Sequence, residues 1–471
     1  MINDTQIQSI HEASVTILRD TGVLVQHPEV VRMLVDAGAR VESAHPIVHL
    51  PESLIMDGVA RAGKKYILHG RDMGRTARFG AGELLLMSSP GQHAWFDPQT
   101  EHMRSATLDD ARQAIQLGDA LQNISIVGAM AQPGKMNDRF REVLLAAELI
   151  KGTIKPTRSW VSTVETARLV LELFRTVAGG EAALRARPMT EGFLTPISPL
   201  QFPEDGLTVL REFIQAGQPV CIASMPMASG TAPITLAGTL ALANAELLAG
   251  VVITQLLRAG TPVLYGGIPH ILDPRTSLCS FGAPEQAIMA VAMTQLGHHY
   301  GFPVYINVGL TDSKTLDIQA GIEKGATLAL GAMAGADLFG HAGIRGADHG
   351  ASLVWLCADN ELMAYVKRIR RGVEINPETL ATDIIRNVQP GGNFLAEEHT
   401  VKHLRQELWL SGASWNRQAF GVWESEGRMA MADRLKSEVK RLLKSHQPPP
   451  IAPDLTHALD EIVSHAKDAF A

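Results

Sequence analysis

Residues 305–350, YINVGLTDSKTLDIQAGIEKGATLALGAMAGADLFGHAGIRGADHG, decide the fold. The pattern predicts a strand over 305–308, a polar loop, a small-residue helix over 317–335, a second strand over 336–340 and a second polar loop. Each strand runs straight into polar groups. Asn307, Thr311 and Asp312 follow the first; His341, Arg345, Asp348 and His349 follow the second. A strand that empties into a polar loop, then a helix and another such strand, is the repeating unit of a barrel that gathers its chemistry at one mouth.

Working outward, the same unit recurs. Short apolar runs at 124–130, 157–162, 192–196, 219–224, 262–266 and 303–308 alternate with helical segments at 108–121, 139–151, 164–177, 204–216, 238–259 and 284–300. The runs show little alternation, as expected of strands covered by helices on both faces. The junctions AGQP before Val220, AGTP before Val263 and GFP before Val304 stop a helix and start a strand. With 336–340 the alternating region holds seven strands, and 84–87 is the candidate eighth. The unit count, a span of ~250 residues and the lack of GxGxxG after a first strand favour an α/β fold of the closed TIM (β/α)8 type over an open doubly wound sheet. Residues 1–106 are expected to form a helical and β-rich wrapping segment, and 107–350 the main part of the barrel. The helices of 351–471 either pack on the barrel or form an oligomer contact, so a homo-oligomer is expected.

The totals exclude several classes. A chain of 471 residues with 46% hydrophobic and 19% charged content is globular, and a net charge of −7 gives no reason to expect nucleic acid or an anionic membrane as partner. The most apolar stretch, 236–257, is interrupted by Asn244, Glu246, Thr254 and Gln255, which argues against a membrane span. The start, MINDTQIQSIHEAS, has no apolar signal core, and Cys221, Cys279 and Cys357 are scattered, which fits a reduced, cytoplasmic protein. No P-loop, HExxH or GxSxG is present, nor any Cys/His spacing typical of zinc, so no protein-bound metal is expected.

Candidate site residues lie at strand ends. Trp160, Phe193, Tyr265 and Phe339 stand near loops in a chain with only 5% aromatic residues. Ring faces attract quaternary ammonium groups. His341, His349 and Arg345 have the chemistry to hold a carboxylate. Together they would suit a zwitterionic methylated amine. For any one of the aromatics, ordinary core packing is the simpler account, and Asp348 in GADHG either orients a histidine or simply makes a turn.

Four strings carry a resemblance. GGIPHILDPRTSLCSFGAPEQA (266–287), VGLTDSKTLDIQAGIEKG (308–325), APDLTHALDEIV (452–463) and TILRDTGVLVQHPEVVRMLVDAGARVE (16–42) resemble the trimethylamine methyltransferase family. The resemblance implies a TIM barrel and methyl transfer from a methylated amine to the cob(I)alamin of a separate corrinoid protein. It implies no cofactor bound tightly by this chain, since cobalamin belongs to the cognate corrinoid partner. Archaeal trimethylamine members carry pyrrolysine in the barrel; here the equivalent place, expected in or next to 307–311, holds ordinary residues. That departure speaks against trimethylamine and for the non-pyrrolysine branch, which demethylates quaternary amines. Glycine betaine is the leading substrate under this resemblance. Proline betaine, carnitine and a non-catalytic betaine-binding role are the alternatives. Asn307 would then be the catalytic, substrate-orienting residue. His341, His349 and Arg345 would hold the carboxylate, with Tyr265, Trp160, Phe339 and Phe193 around the ammonium.

Overall fold

The computed structural model describes residues 1–42, 44–412 and 414–471. Eight parallel strands curl into one sheet: β1 (Leu85–Ser88), β2 (Ile124–Gly128), β3 (Thr157–Arg158), β4 (Gly192–Leu194), β5 (Val220–Ser224), β6 (Val263–Gly267), β7 (Val304–Ile306) and β8 (Leu338–Ala342). Each is followed by a helix: α1 (Leu108–Ala120), α2 (Asp138–Gly152), α3 (Val164–Ala178), α4 (Glu204–Gln215), α5 (Leu236–Leu257), α6 (Pro284–His299), α7 (Ile318–Ala334) and α8 (Leu353–Arg371). The candidate eighth strand is β1. It pairs with β8 through Leu85 and Leu338 and with β2 through Leu86 and Ile124, so the barrel begins ahead of residue 107. Among the described residues no ladder joins β3 to β4, which leaves a seam in the wall.

Local chemistry explains the elements. The Asp317 side chain accepts from the Ala320 backbone N–H at 3.0 Å to start α7, and Gly335 ends it at φ 91°. Gly331 lets α7 lie close to the sheet, because a Cβ there would sit 2.6 Å from Ile306 Cδ1. α5 is apolar on all sides and is long and apolar enough to cross a membrane. Most of it is instead buried between the sheet and the N-terminal helices Asp4–Thr16 and Glu52–Arg61.

Strand alternation sorts the side chains into two layers. Leu85, Met87, Ile126, Cys221, Leu264 and Tyr305 pack together inside the barrel, against the hairpin formed by Tyr66–His69 and Thr76–Phe79. That hairpin plugs the N-terminal end of the barrel. Asp337 fastens it: Oδ1 accepts from Gly80 N at 2.8 Å and Oδ2 from Val304 N at 2.9 Å. Ile222, Tyr265, Ile306 and Phe339 belong to the outer layer under the helices. The C-terminal helices Met431–Ser445 and Pro453–Ala469 pack on α8 and α1 and on α2 and α3, respectively.

Lys324 of α7 and Asp359 of α8 form a buried pair at 2.9 Å. Lys324 Nζ also donates to Gly309 O at 3.0 Å, and Asp359 Oδ2 accepts from Gly343 N at 2.8 Å. The pair therefore ties together the loops leaving β7 and β8. Removing one partner strands a buried charge at a cost of about 3–5 kcal/mol. Asp359→Ala is expected to lose about that much unfolding free energy in a urea titration, and Lys324→Met combined with Asp359→Leu to recover most of it.

Candidate active site at the barrel mouth

The seam between β3 and β4 is where the polar groups collect. Arg158 closes β3, Glu191 stands just before β4, and Phe193 lies within β4. They line a cavity of about 260 Å³ together with Met87, Trp160 and His341. Arg158 Nη1 donates to Glu191 Oε1 at 2.9 Å, and the Tyr66 hydroxyl donates to Glu191 Oε2 at 3.1 Å. The Arg158 and Glu191 side chains are only 8% and 2% exposed. Burial works against the Arg158 charge, but the neighbouring Glu191 carboxylate outweighs it and keeps the guanidinium firmly protonated. The guanidinium lies 4.8 Å from the centre of the Phe193 ring. Its Nη2 is buried without a hydrogen-bond partner, and so is the adjacent Ser159 Oγ. A buried donor left unpaired is costly.

His341 pairs with the Tyr305 hydroxyl, Nε2 to oxygen, at 2.9 Å. Burial, with repulsion from Arg158 and His270, lowers its pKa to about 4, so the ring is neutral at neutral pH. His270 sits one layer away. Its Nδ1 donates to Ile268 O at 2.7 Å, which leaves Nε2 to accept from Gln286 Nε2 at 2.9 Å. Burial lowers this ring too to about 4.

Three of the residues expected from sequence meet at the cavity: Trp160, Phe193 and His341. The others do not. Tyr265 occupies an outward strand position, where its hydroxyl donates to Asn244 Oδ1 of α5 at 2.8 Å. Phe339 is likewise outward, under α7. Arg345 is spent elsewhere: Nη1 donates to Glu101 Oε2 at 2.6 Å, and the guanidinium stacks 3.4 Å from the Phe96 ring centre. His349 is exposed, and its Nδ1 bonds Gly346 O within its own loop. The expected carboxylate clamp of HAGIRGADHG thus keeps only His341. Asn307 is buried and does not line the cavity. Its carbonyl accepts from Gln286 Nε2 at 2.5 Å, its Nδ2 lies 3.5 Å from His270 Nε2, and its Oδ1 has no partner. Sequence reasoning missed Arg158 and Glu191. The available signal was a lone arginine at a strand end in KPTRSW, and its partner lies 33 residues away.

The rim of the mouth is apolar. Trp160, Ile197, Ile234, Leu278 and Ile318 are all exposed, one on each successive connection from β3 to β7. Among the described residues no group of three or more His, Cys, Asp or Glu is placed to hold a metal ion.

A family model described as trimethylamine methyltransferase matches residues 1–471. The chain belongs to that family. It is 29% identical to a trimethylamine methyltransferase of Desulfitobacterium hafniense, over 99% of this chain and 94% of that one. It is 30% identical to a glycine betaine methyltransferase of the same species, over 98% and 96% of the two chains. Identity to a trimethylamine methyltransferase of Methanosarcina mazei is also 30%, over 99% and 94%. The solved monomethylamine methyltransferase of Methanosarcina barkeri superposes with a TM-score of 0.53 at 14% identity, covering 98% of this chain and 92% of that one. At that identity the likeness bears on the fold, and it agrees with the (β/α)8 arrangement. The chain is therefore a methyltransferase built on a TIM barrel.

The histidines of this methyltransferase make its stability pH-dependent. His270 and His341 both fall from an ordinary 6.5 to about 4 in the folded state. Between those values the unfolded chain binds more protons than the folded one, so stability drops as pH falls through the window. The urea midpoint at about pH 5 is expected to lie below that at about pH 7. His270→Gln should narrow the gap, since it removes one of the two groups.

Proposed function

We propose that this chain moves a methyl group from a quaternary amine, glycine betaine foremost, to the corrinoid of a separate carrier protein. The observation that carries this is the composition of one cavity. Arg158, a buried guanidinium whose Nη2 has no hydrogen-bond partner, lines the same cavity as the Trp160 and Phe193 rings. Those are the two recognition elements a betaine needs: a charge-assisted donor for its carboxylate and ring faces for its trimethylammonium. Trimethylamine has no carboxylate to satisfy Arg158. The chain is as similar to a glycine betaine methyltransferase as to trimethylamine methyltransferases, so the choice between substrates rests on the cavity. The cavity's volume of about 260 Å³ supports it too. Ligand sites typically run from ~300 to ~1,000 Å³, so this one suits a small betaine better than carnitine or proline betaine.

The chain's own work is orientation. With the carboxylate held at Arg158, deep in the seam, the ammonium lies toward Trp160 and one N-methyl faces the mouth. The partner's corrinoid supplies the nucleophile. The methyl carbon's bond to nitrogen breaks as its bond to the nucleophile forms, and the electron pair stays on nitrogen, giving dimethylglycine with a neutral tertiary amine and its carboxylate intact. A quaternary nitrogen needs no proton to leave, so the step asks no proton transfer of His341 or Glu191. The apolar rim from Trp160 to Ile318 suits a docking carrier.

Incubation with glycine betaine and a reduced corrinoid protein is expected to yield dimethylglycine, with choline and trimethylamine turning over far more slowly. Removing a charge-assisted hydrogen bond costs about 1.5–3 kcal/mol, so Arg158→Ala should raise KM for glycine betaine roughly 10- to 100-fold. The same variant should leave choline, which has no carboxylate, little changed. Arg158→Lys controls for the loss of Glu191's partner. Turnover of a larger betaine with none of glycine betaine would sink the substrate assignment. Equal losses on betaine and choline would sink the role of Arg158.

A further inference from the structure

A second cavity, of about 620 Å³, lies at the N-terminal face of the barrel and shares no lining residue with the one at the mouth. Part of its lining comes from where strands begin: Leu85 opens β1, Ile124 opens β2, and Lys155 and Pro156 lead into β3. The hairpin adds Arg75 and Thr76, and the last turns of α8 add Lys367, Arg370 and Arg371. Five cations thus line one concavity in a chain whose net charge is −7.

Among the described residues none of the five pairs with a carboxylate, whereas arginines elsewhere on the surface do: Arg61 with Asp57, Arg112 with Glu148, Arg168 with Glu212 and Arg441 with Glu438. The lining includes one carboxylate, Glu83, and it is already taken. It accepts from Arg78 Nε at 2.5 Å and from Arg78 N at 3.2 Å. Basic residues in the last turn of a helix offset its dipole, and that alone would account for Arg370 and Arg371. It does not account for Arg75 and Lys155, which reach the same space from other elements. Lys155 is buried, and its Nζ donates to Gly118 O, Leu121 O and Ile124 O at 3.0, 2.6 and 2.9 Å. With those donors used, it offers a ligand charge alone. Burial lowers its pKa to about 8; Asp119 acts to raise it, and Arg75 and Lys367 lower it further, the repulsion of like charges gathered without a counter-ion. Asp119 itself is engaged by Thr153 and His446. The arginines keep most of their donors. Arg370 uses Nη1 on Gly82 O at 2.9 Å, and Arg371 uses Nη2 on Glu407 O at 3.3 Å.

We propose that this cavity binds a small molecule carrying two or more linked phosphates. Each phosphate brings a charge of about −1.5 to −2, so a linked pair answers the excess of cations where a single carboxylate would not. Guanidinium forks match phosphate oxygens two at a time, and three arginines line the cavity. The cavity's volume is within the ~300–1,000 Å³ typical of small-ligand sites, whereas nucleic acid is met by a basic stripe along a face. Two sources share this chemistry. One is inorganic pyrophosphate; the other is a nucleoside diphosphate, whose base has Leu84, Leu85 and Pro156 to rest against.

Calorimetric titration of the full chain with pyrophosphate, ADP and citrate tests the site. Pyrophosphate and ADP are expected to saturate one site per chain, with citrate, a tricarboxylate, at least ~10-fold weaker. Tighter binding of ADP than of pyrophosphate assigns a role to the apolar wall, and equal binding assigns the affinity to the phosphates; both support the site. Arg75→Ala combined with Arg371→Ala alters two exposed side chains on different elements. This variant should keep the parent's far-ultraviolet circular dichroism and lose roughly 10-fold or more in affinity. Arg386→Ala, far along the chain and paired with Asp383, should lose nothing. Hydrogen exchange of the parent chain with ADP gives a check independent of any variant: new protection should fall at residues 75–85, 122–125 and 367–371. The proposal is overturned if neither pyrophosphate nor ADP saturates below about 1 mM. It is also overturned if citrate or an acidic peptide binds as tightly as ADP, if protection falls elsewhere, or if the folded double variant binds like the parent.

Discussion

Arg158 and Glu191 meet at 2.9 Å across a gap in the barrel wall, where β3 and β4 share no ladder among the described residues. Elsewhere neighbouring strands are held by backbone hydrogen bonds; here two side chains do the joining. Burying both charges costs several kcal/mol per ion, and their attraction offsets that only with good geometry and further hydrogen bonds. Glu191 has its second bond from Tyr66, which also anchors the pair to the hairpin plug. Arg158 does not: its Nη2 remains unpaired. A barrel selected only for stability would satisfy that donor or close the seam with a ladder. The arrangement instead leaves a charged group buried and incompletely bonded beside a cavity.

The rest of the site depends on how the strands divide their side chains. Tyr305 faces inward, so its hydroxyl reaches His341; Tyr265 faces outward, so its hydroxyl is consumed by Asn244. Both are tyrosines in the middle of adjacent strands, and only the register separates their roles. The same division puts Phe339 under a helix while Phe193 sits against Arg158. Low-dielectric surroundings then set the protonation states. His341 and His270 are neutral because burial disfavours their charge, and Arg158 is charged because a carboxylate lies beside it.

The sequence by itself determined the repeating units. Capping by Asp317, the left-handed Gly335 and the Gly-Pro junctions act within a few residues of chain, so the helices and strands could be placed without the tertiary structure. It also determined that Trp160, Phe193 and His341 lie on or just after strands, because strand positions follow from the same local signals. Only the tertiary structure decided which of the candidates share a cavity. Arg345 was a reasonable carboxylate partner until Glu101, 244 residues away in the chain, was found to occupy it. Arg158 gained its role only when closure of the sheet brought Glu191, Phe193 and His341 around it. Closure and stagger of eight strands are cooperative properties of the whole wall, and no short stretch of sequence encodes them.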